Sequence, residues 1–187
     1  MLYLGIGAGR LAAPLHRAGI ELVGVDAHPG MLAHVRRRVP GIEVHQALIE
    51  DLRWKRRFDL VVGPSSILAE DANLEVAARH LRVGGRVGME LMNPHWLAGG
   101  EHEGVRLLGA GSGMEVDYRL PDGSVVTQVV DGVEHSAPPP EEVEARLERF
   151  GLRLEWMGGV PDHDLSESPV YFVLASKRRP RRRLHTS

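Results

Sequence analysis

In Leu4-Gly5-Ile6-Gly7-Ala8-Gly9, glycine recurs at every second position directly behind a short apolar run. No other stretch narrows the fold as far. An apolar run that enters glycines and leaves into helical periodicity reads as a strand, a tight turn and a helix N-terminus. Glycine allows positive φ and takes away the Cβ that would hold a ligand at a distance, while the first N–H groups of the following helix have no partner within it. Such a turn is shaped for a nucleotide. Asp26 stands seventeen residues past Gly9, at the end of a second apolar run, Val23-Gly24-Val25. An ionised carboxylate at that place can accept hydrogen bonds from two ribose hydroxyls.

The spacing narrows the nucleotide class. A dinucleotide fingerprint is G-x-G-x-x-G, with its third glycine packing helix against strand; here Arg10 holds that place. A G-x-G-x-G turn, with Asp26 and the downstream order of motifs, resembles the class I S-adenosylmethionine-dependent methyltransferases. Arg57-Phe58-Asp59-Leu60-Val61-Val62 resembles that family's passage into its fourth strand, and Arg79-His80-Leu81-Arg82-Val83-Gly84-Gly85-Arg86-Val87 its passage into the fifth. The resemblance runs from Leu2 to Met92.

Read in order, helical and extended stretches alternate, which implies parallel strands joined by right-handed crossovers. Helices are expected from about Arg10 to Arg17, from Pro29 to the Pro40-Gly41 stop, and from an Asp71 cap through Leu81. Strands are expected at 21–25, 42–48, 58–62 and 87–92. Past Pro94, Gly99 to Gly113 reads as a glycine-rich loop. Met114 to Leu120 alternates apolar with charged residues, turns at Pro121-Asp122-Gly123 and returns from Ser124 to Val130, a hairpin with one apolar face. Val143, Leu147 and Phe150 mark a last helix, and two strands, 152–157 and 170–176, follow. The expected architecture is one doubly wound α/β domain over residues 1–177 with a mostly parallel, seven-stranded, Rossmann-like sheet. It divides into a cofactor-binding half (1–98), a loop and antiparallel hairpin insertion after the fifth strand (99–139), and a C-terminal helix and strands (140–177). Residues 178–187 form a basic tail expected to be disordered.

The resemblance implies S-adenosyl-L-methionine as cofactor and methyl transfer to a small molecule. It implies that Gly5, Ile6, Gly7 and Gly9 lie against the methionine part and that Asp26 holds the ribose. Ala27 and Met31 would border adenine and ribose, the backbone of Ile49 would read the adenine edge, and the Gly63 carbonyl would meet the ammonium. The family usually carries an acidic residue two positions before the first glycine, where this chain has Tyr3, and an aspartate at the adenine amino group, where it has Leu48. Gly63-Pro64-Ser65-Ser66 lacks the Asn-Pro-Pro-aromatic signature of enzymes acting on exocyclic or amide nitrogens.

Ligands of open α/β sheets bind at the carboxyl ends of the strands, an edge that gathers Gly5 to Gly9, Asp26, Ala47 to Asp51, Gly63 to Ser66 and Asn93 to Trp96. Asn93, His95, Trp96 and, in the hairpin, Tyr118 are the substrate-side candidates. His95 could take a proton from a hydroxyl acceptor. Methyl transfer by direct displacement depends on proximity and line of approach, so little acid–base machinery need show. The family covers its sheet with helices before the first strand, whereas this chain begins at the strand. The open surface is an expected place for a homodimer contact. Two other functions stay open: a non-catalytic methyltransferase-like scaffold, and a nicotinamide-dependent oxidoreductase. Arg10 and the absence of a Tyr-x-x-x-Lys pair count against the oxidoreductase.

The chain has no cysteine, which excludes disulfides and thiolate-based metal sites, and no metal ligand set is visible. No apolar run approaches the roughly 20 residues of a membrane span, so a cytoplasmic protein is expected. Six basic residues lie between Lys177 and Arg183 while the whole chain carries −2. The acidic remainder speaks against nucleic acid as a partner.

Overall fold

A computed structural model describes residues 1–99, 105–108, 113–119, 123–131, 137–161 and 164–179. The first half alternates as expected: β1 (Leu2–Leu4), α1 (Ala12–Arg17), β2 (Val23–Asp26), α2 (Pro29–Arg38), β3 (Glu43–Gln46), β4 (Phe58–Gly63), α3 (Asp71–His80) and β5 (Leu81–Met92). α4 (Pro94–Ala98), β6 (Val105–Leu108), β7 (Gly113–Arg119), β8 (Val125–Asp131), α5 (Val143–Arg149), β9 (Leu152–Gly158) and β10 (Val170–Lys177) complete it.

Seven strands form one sheet in the order β3-β2-β1-β4-β5-β10-β9. β1 pairs in parallel with β2 and β4, and β4 with β5, whereas β10 runs antiparallel to both its neighbours. The strand order reverses at β1 and β4, which places the switch point at the glycine turn.

Local chemistry sets the helix boundaries. Pro29 supplies a preset φ at the first turn of α2, the His28 ring accepts from the Met31 N–H at 3.4 Å, and Arg36, Arg37 and Arg38 suit the negative helix end. Asp71 does not cap α3. It is the first helical residue after Glu70, and its carboxylate binds Arg146 at 2.8 Å and Arg149 at 3.3 Å. Arg146 is 7% exposed and also donates to the Leu68 and Ala69 carbonyls, tying α5 to the turn before α3.

Strand alternation sends side chains to two cores. Leu2, Leu4, Val61, Val87 and Tyr171 pack with Leu74 of α3 and Leu147 of α5, while Tyr3 and Ile6 pack with Ala12 of α1 and Leu32 and Val35 of α2.

The insertion is larger than a hairpin. β6 forms within the stretch read as a glycine-rich loop and pairs antiparallel with β7, giving a separate three-stranded sheet β6-β7-β8. Arg106 bridges Glu115 at 2.8 Å and Asp117 at 3.3 Å, so the charged face of the alternation also pairs across strands. In the basic tail, Arg178 donates from its backbone to Gly151 and from its side chain to Glu148; residues 180–187 lie outside the described part. No helix among the described residues is long and apolar enough to cross a membrane.

A candidate nucleotide cradle at the carboxyl edge

The glycine turn needs glycine three times, for two different reasons. Gly5, Gly7 and Gly9 have φ of +67°, +55° and +77°, a region that costs other residues roughly 1–2 kcal/mol. A Cβ on Gly5 would lie 2.3 Å from Ile67 Cδ1, and one on Gly9 2.3 Å from Val35 Cγ2. At Gly7 it would meet nothing within 4 Å. Gly5 and Gly9 therefore let the turn sink onto the protein, and Gly7 is the position that faces open space.

Asp26 holds this turn in place. Its Oδ2 accepts from the Gly7 N–H and its Oδ1 from the His28 N–H, both at 2.8 Å. One acceptor site then remains on each oxygen. The carboxylate thus braces the loop and keeps capacity for a ligand, a double role that spacing alone does not reveal.

The other expected cofactor residues come to the same edge. Ile6 is 2% exposed and its side chain belongs to the core, so only its backbone is available in the turn. Ala27 is exposed and its carbonyl accepts from Gln46 at 3.3 Å. Met31 is exposed, as is Leu48, and Ile49 opens a short 3₁₀ turn with its side chain buried. Gly63 ends β4 under Ile67 and Leu68, either of which a Cβ there would strike. These residues sit at the ends of four adjacent strands, β3, β2, β1 and β4.

Beyond β4, within the Gly63–Ser66 stretch expected at this edge, lie two residues to which the sequence assigned no role of their own. Ser65 and Ser66 both adopt positive φ, +56° and +58°, conformations that non-glycine residues hold only where surroundings enforce them. Ser66 donates its N–H to the Glu90 carbonyl at 2.9 Å, and its Oγ accepts from the Met92 N–H at 2.8 Å. These bonds pin the exit of β4 to the end of β5.

Three of the substrate-side candidates lie together at the start of α4 but differ in burial and partners. Asn93 is fully buried, donates to the Leu165 and Ser168 carbonyls and accepts from the His95 N–H, capping α4 and anchoring a distant loop. His95 is exposed and its Nε2 lies 2.9 Å from both oxygens of Glu141, forty-six residues on. A carboxylate only accepts, so Nε2 carries the proton and Nδ1 is left as the basic nitrogen. The bond from His95 holds the Glu141 carboxyl below its usual range. Trp96 follows in α4 and is half-buried. Tyr118 belongs to β7, and its side chain lies outside the described residues.

A groove of about 430 Å³ opens beside the turn, lined by Tyr3, Leu11, Val62, Pro64, Glu90 and Phe172 among others. Glu90, also unremarked by the motif reading, is the acidic residue inside the apolar run of an inner strand, and that misfit was the signal available for it. No group of three metal-binding side chains occurs among the described residues.

Residues 1–85 match the family model of a methyltransferase domain. The ubiquinone biosynthesis O-methyltransferases of Nitrobacter winogradskyi and of a Bradyrhizobium species are 27% and 30% identical over 104 and 103 residues, each match covering 51% of this chain. The chain spans only 40% and 41% of those relatives' lengths. Among solved structures, the CcbJ methyltransferase from Streptomyces caelestis superposes with a TM-score of 0.72 at 17% identity, over 95% of this chain and 83% of that one.

Proposed function

We propose that this chain, whose residues 1–85 match the family model of a methyltransferase domain and whose fold superposes on solved methyltransferases, binds S-adenosylmethionine in the Gly5–Gly9 cradle and transfers its methyl group to a small-molecule hydroxyl. The observation that carries this reading is Gly7. Its positive φ and empty flank, with the N–H clamped by Asp26, make an opening in backbone that is otherwise packed.

Bound there, the cofactor supplies an electrophilic methyl group on a sulfonium. The chain's own part is placement and exclusion. Asp26 offers its remaining acceptor sites to the ribose diol, and Ala27, Met31 and the Ile49 backbone flank the base. Gly63 presents its backbone at the end of β4, beside the fixed turn of Ser65 and Ser66. On the acceptor side His95, oriented by Glu141, takes the hydroxyl proton through Nδ1. Asn93 fixes the start of α4 that carries His95 and Trp96, and Tyr118 belongs to the insertion that walls the acceptor site. Residues 1–98 would then serve the cofactor, 99–139 the acceptor, and 140–177 the closure of the sheet.

Isothermal titration with S-adenosylmethionine, S-adenosylhomocysteine and NADH tests this. Binding of the first two without the third is expected, and Asp26→Ala should weaken it by about 1.5–3 kcal/mol, the worth of a hydrogen bond to a charged group. Unchanged affinity in that variant, or binding of NADH alone, refutes the assignment.

A further inference from the structure

S-Adenosylmethionine and S-adenosylhomocysteine end in an amino acid, with an ammonium and a carboxylate that both need counter-charges when drawn out of water. Tyr3 and Leu11 stand on either side of the glycine turn, and both line the neighbouring groove. Across β1, β4 and β5, Tyr3 is level with Val62 and Val62 with Gly88. Glu90, two residues further along β5, shares their face of the sheet and lies one step nearer the carboxyl edge. It is the one charged residue among those lining the groove. Arg10 leaves the turn directly after Gly9, one residue before Leu11 of the groove wall. Neither Glu90 nor Arg10 enters an ion pair among the described residues.

We infer that Glu90 and Arg10 clamp the amino-acid end of the bound nucleoside, the Glu90 carboxylate accepting from the ammonium and the Arg10 guanidinium donating to the carboxylate. The inference rests on the function proposed above. Both charges act on the Tyr3 phenol: burial raises its pKa most, Arg10 lowers it and Glu90 raises it. A carboxylate on β5 thereby replaces the acid missing at position 3, among the aromatic and aliphatic walls of the groove.

The test compares two nucleosides, S-adenosylhomocysteine and 5′-methylthioadenosine; the second lacks the amino-acid end. Titrations of the full chain and of Glu90→Gln and Arg10→Gln should show each variant losing about tenfold or more in affinity for S-adenosylhomocysteine, as expected of a charge-assisted hydrogen bond. Affinity for 5′-methylthioadenosine should stay within about twofold, which also shows that the variants are folded. Equal losses for both nucleosides, or none for either, overturn the clamp while leaving the cradle standing. If the unaltered chain binds neither nucleoside, the cradle and the clamp fall together.

Discussion

The two ends of the sheet treat their polar groups in opposite ways. At the amino end, cations are spent on the fold: Arg57 donates to the Trp54 carbonyl, Arg79 to Leu52, and Lys177 to Ala78 and Leu81. His80 is fully buried there, bonded through Nδ1 to the Val76 carbonyl and edge-on to Trp54 at 6.2 Å. At the carboxyl end lie the two non-glycine residues held at positive φ, Ser65 and Ser66, and among the described residues no ion pair engages Glu90 or Arg10. One end closes carbonyls that burial would otherwise leave costly. The other holds backbone in shape and leaves charge available. The proposed site lies at the second of these ends.

Substitutions can break this contrast, and the largest effect is expected within the glycine turn. Gly9→Ala combines a left-handed φ with a clash against Val35 and should lower unfolding free energy by about 3 kcal/mol in urea titrations. Gly7→Ala meets only the backbone cost, about 1–2 kcal/mol, yet should remove S-adenosylhomocysteine binding because its methyl enters the open flank. Normal binding by Gly7→Ala would falsify the placement of the ligand there.

A pH titration sharpens the other end. Burial, opposed in part by the bond to Val76, lowers the His80 pKa, with the Arg57, Arg79 and Arg53 charges adding to the lowering. The unfolded chain thus binds a proton at higher pH than the folded one. Stability should be full above the ordinary histidine range, about pH 6.5, and fall as pH drops below it toward the folded value. In His80→Leu, urea midpoints measured across that window should decline less steeply; an unchanged decline would put the sensitive group elsewhere.

The smallest effects are expected at the exposed pair. His95→Gln and Glu141→Gln should leave stability within about 0.5 kcal/mol, as for most surface ion pairs, and leave S-adenosylhomocysteine affinity unchanged. Their effect belongs in turnover of a hydroxyl acceptor. A tenfold change in nucleoside affinity in either variant would move the pair into the cradle.

How far each feature could be read from the chain depends on how local its cause is. The glycine turn and Asp26 were legible because their requirements lie within a few residues: positive φ, absent Cβ, and a carboxylate at a strand end. The seven strands followed from alternation and from apolar runs. By contrast, His95 meets Glu141 and Asn93 meets Ser168 only through the fold, so composition around each gave no hint of its partner. Asp71 looked like a cap because a helix begins there, yet Arg146 competes for its carboxylate from another helix. β6 was hidden by the glycines around it, since Val105–Leu108 is too short for periodicity to declare itself.

The antiparallel strand β10 bears on how the chain is made as well as on how it is held. It lies between β5 and β9, and β9 has no other partner in the sheet. Chains emerge from the ribosome amino end first, so β1 to β5 can assemble in the order of their synthesis while β9 emerges before anything it can pair with. The inner seam of the sheet therefore closes last, on residues 170–177. Trimming the chain back into those residues would unzip two strand pairings at once, a heavier loss than the position of a terminal segment suggests.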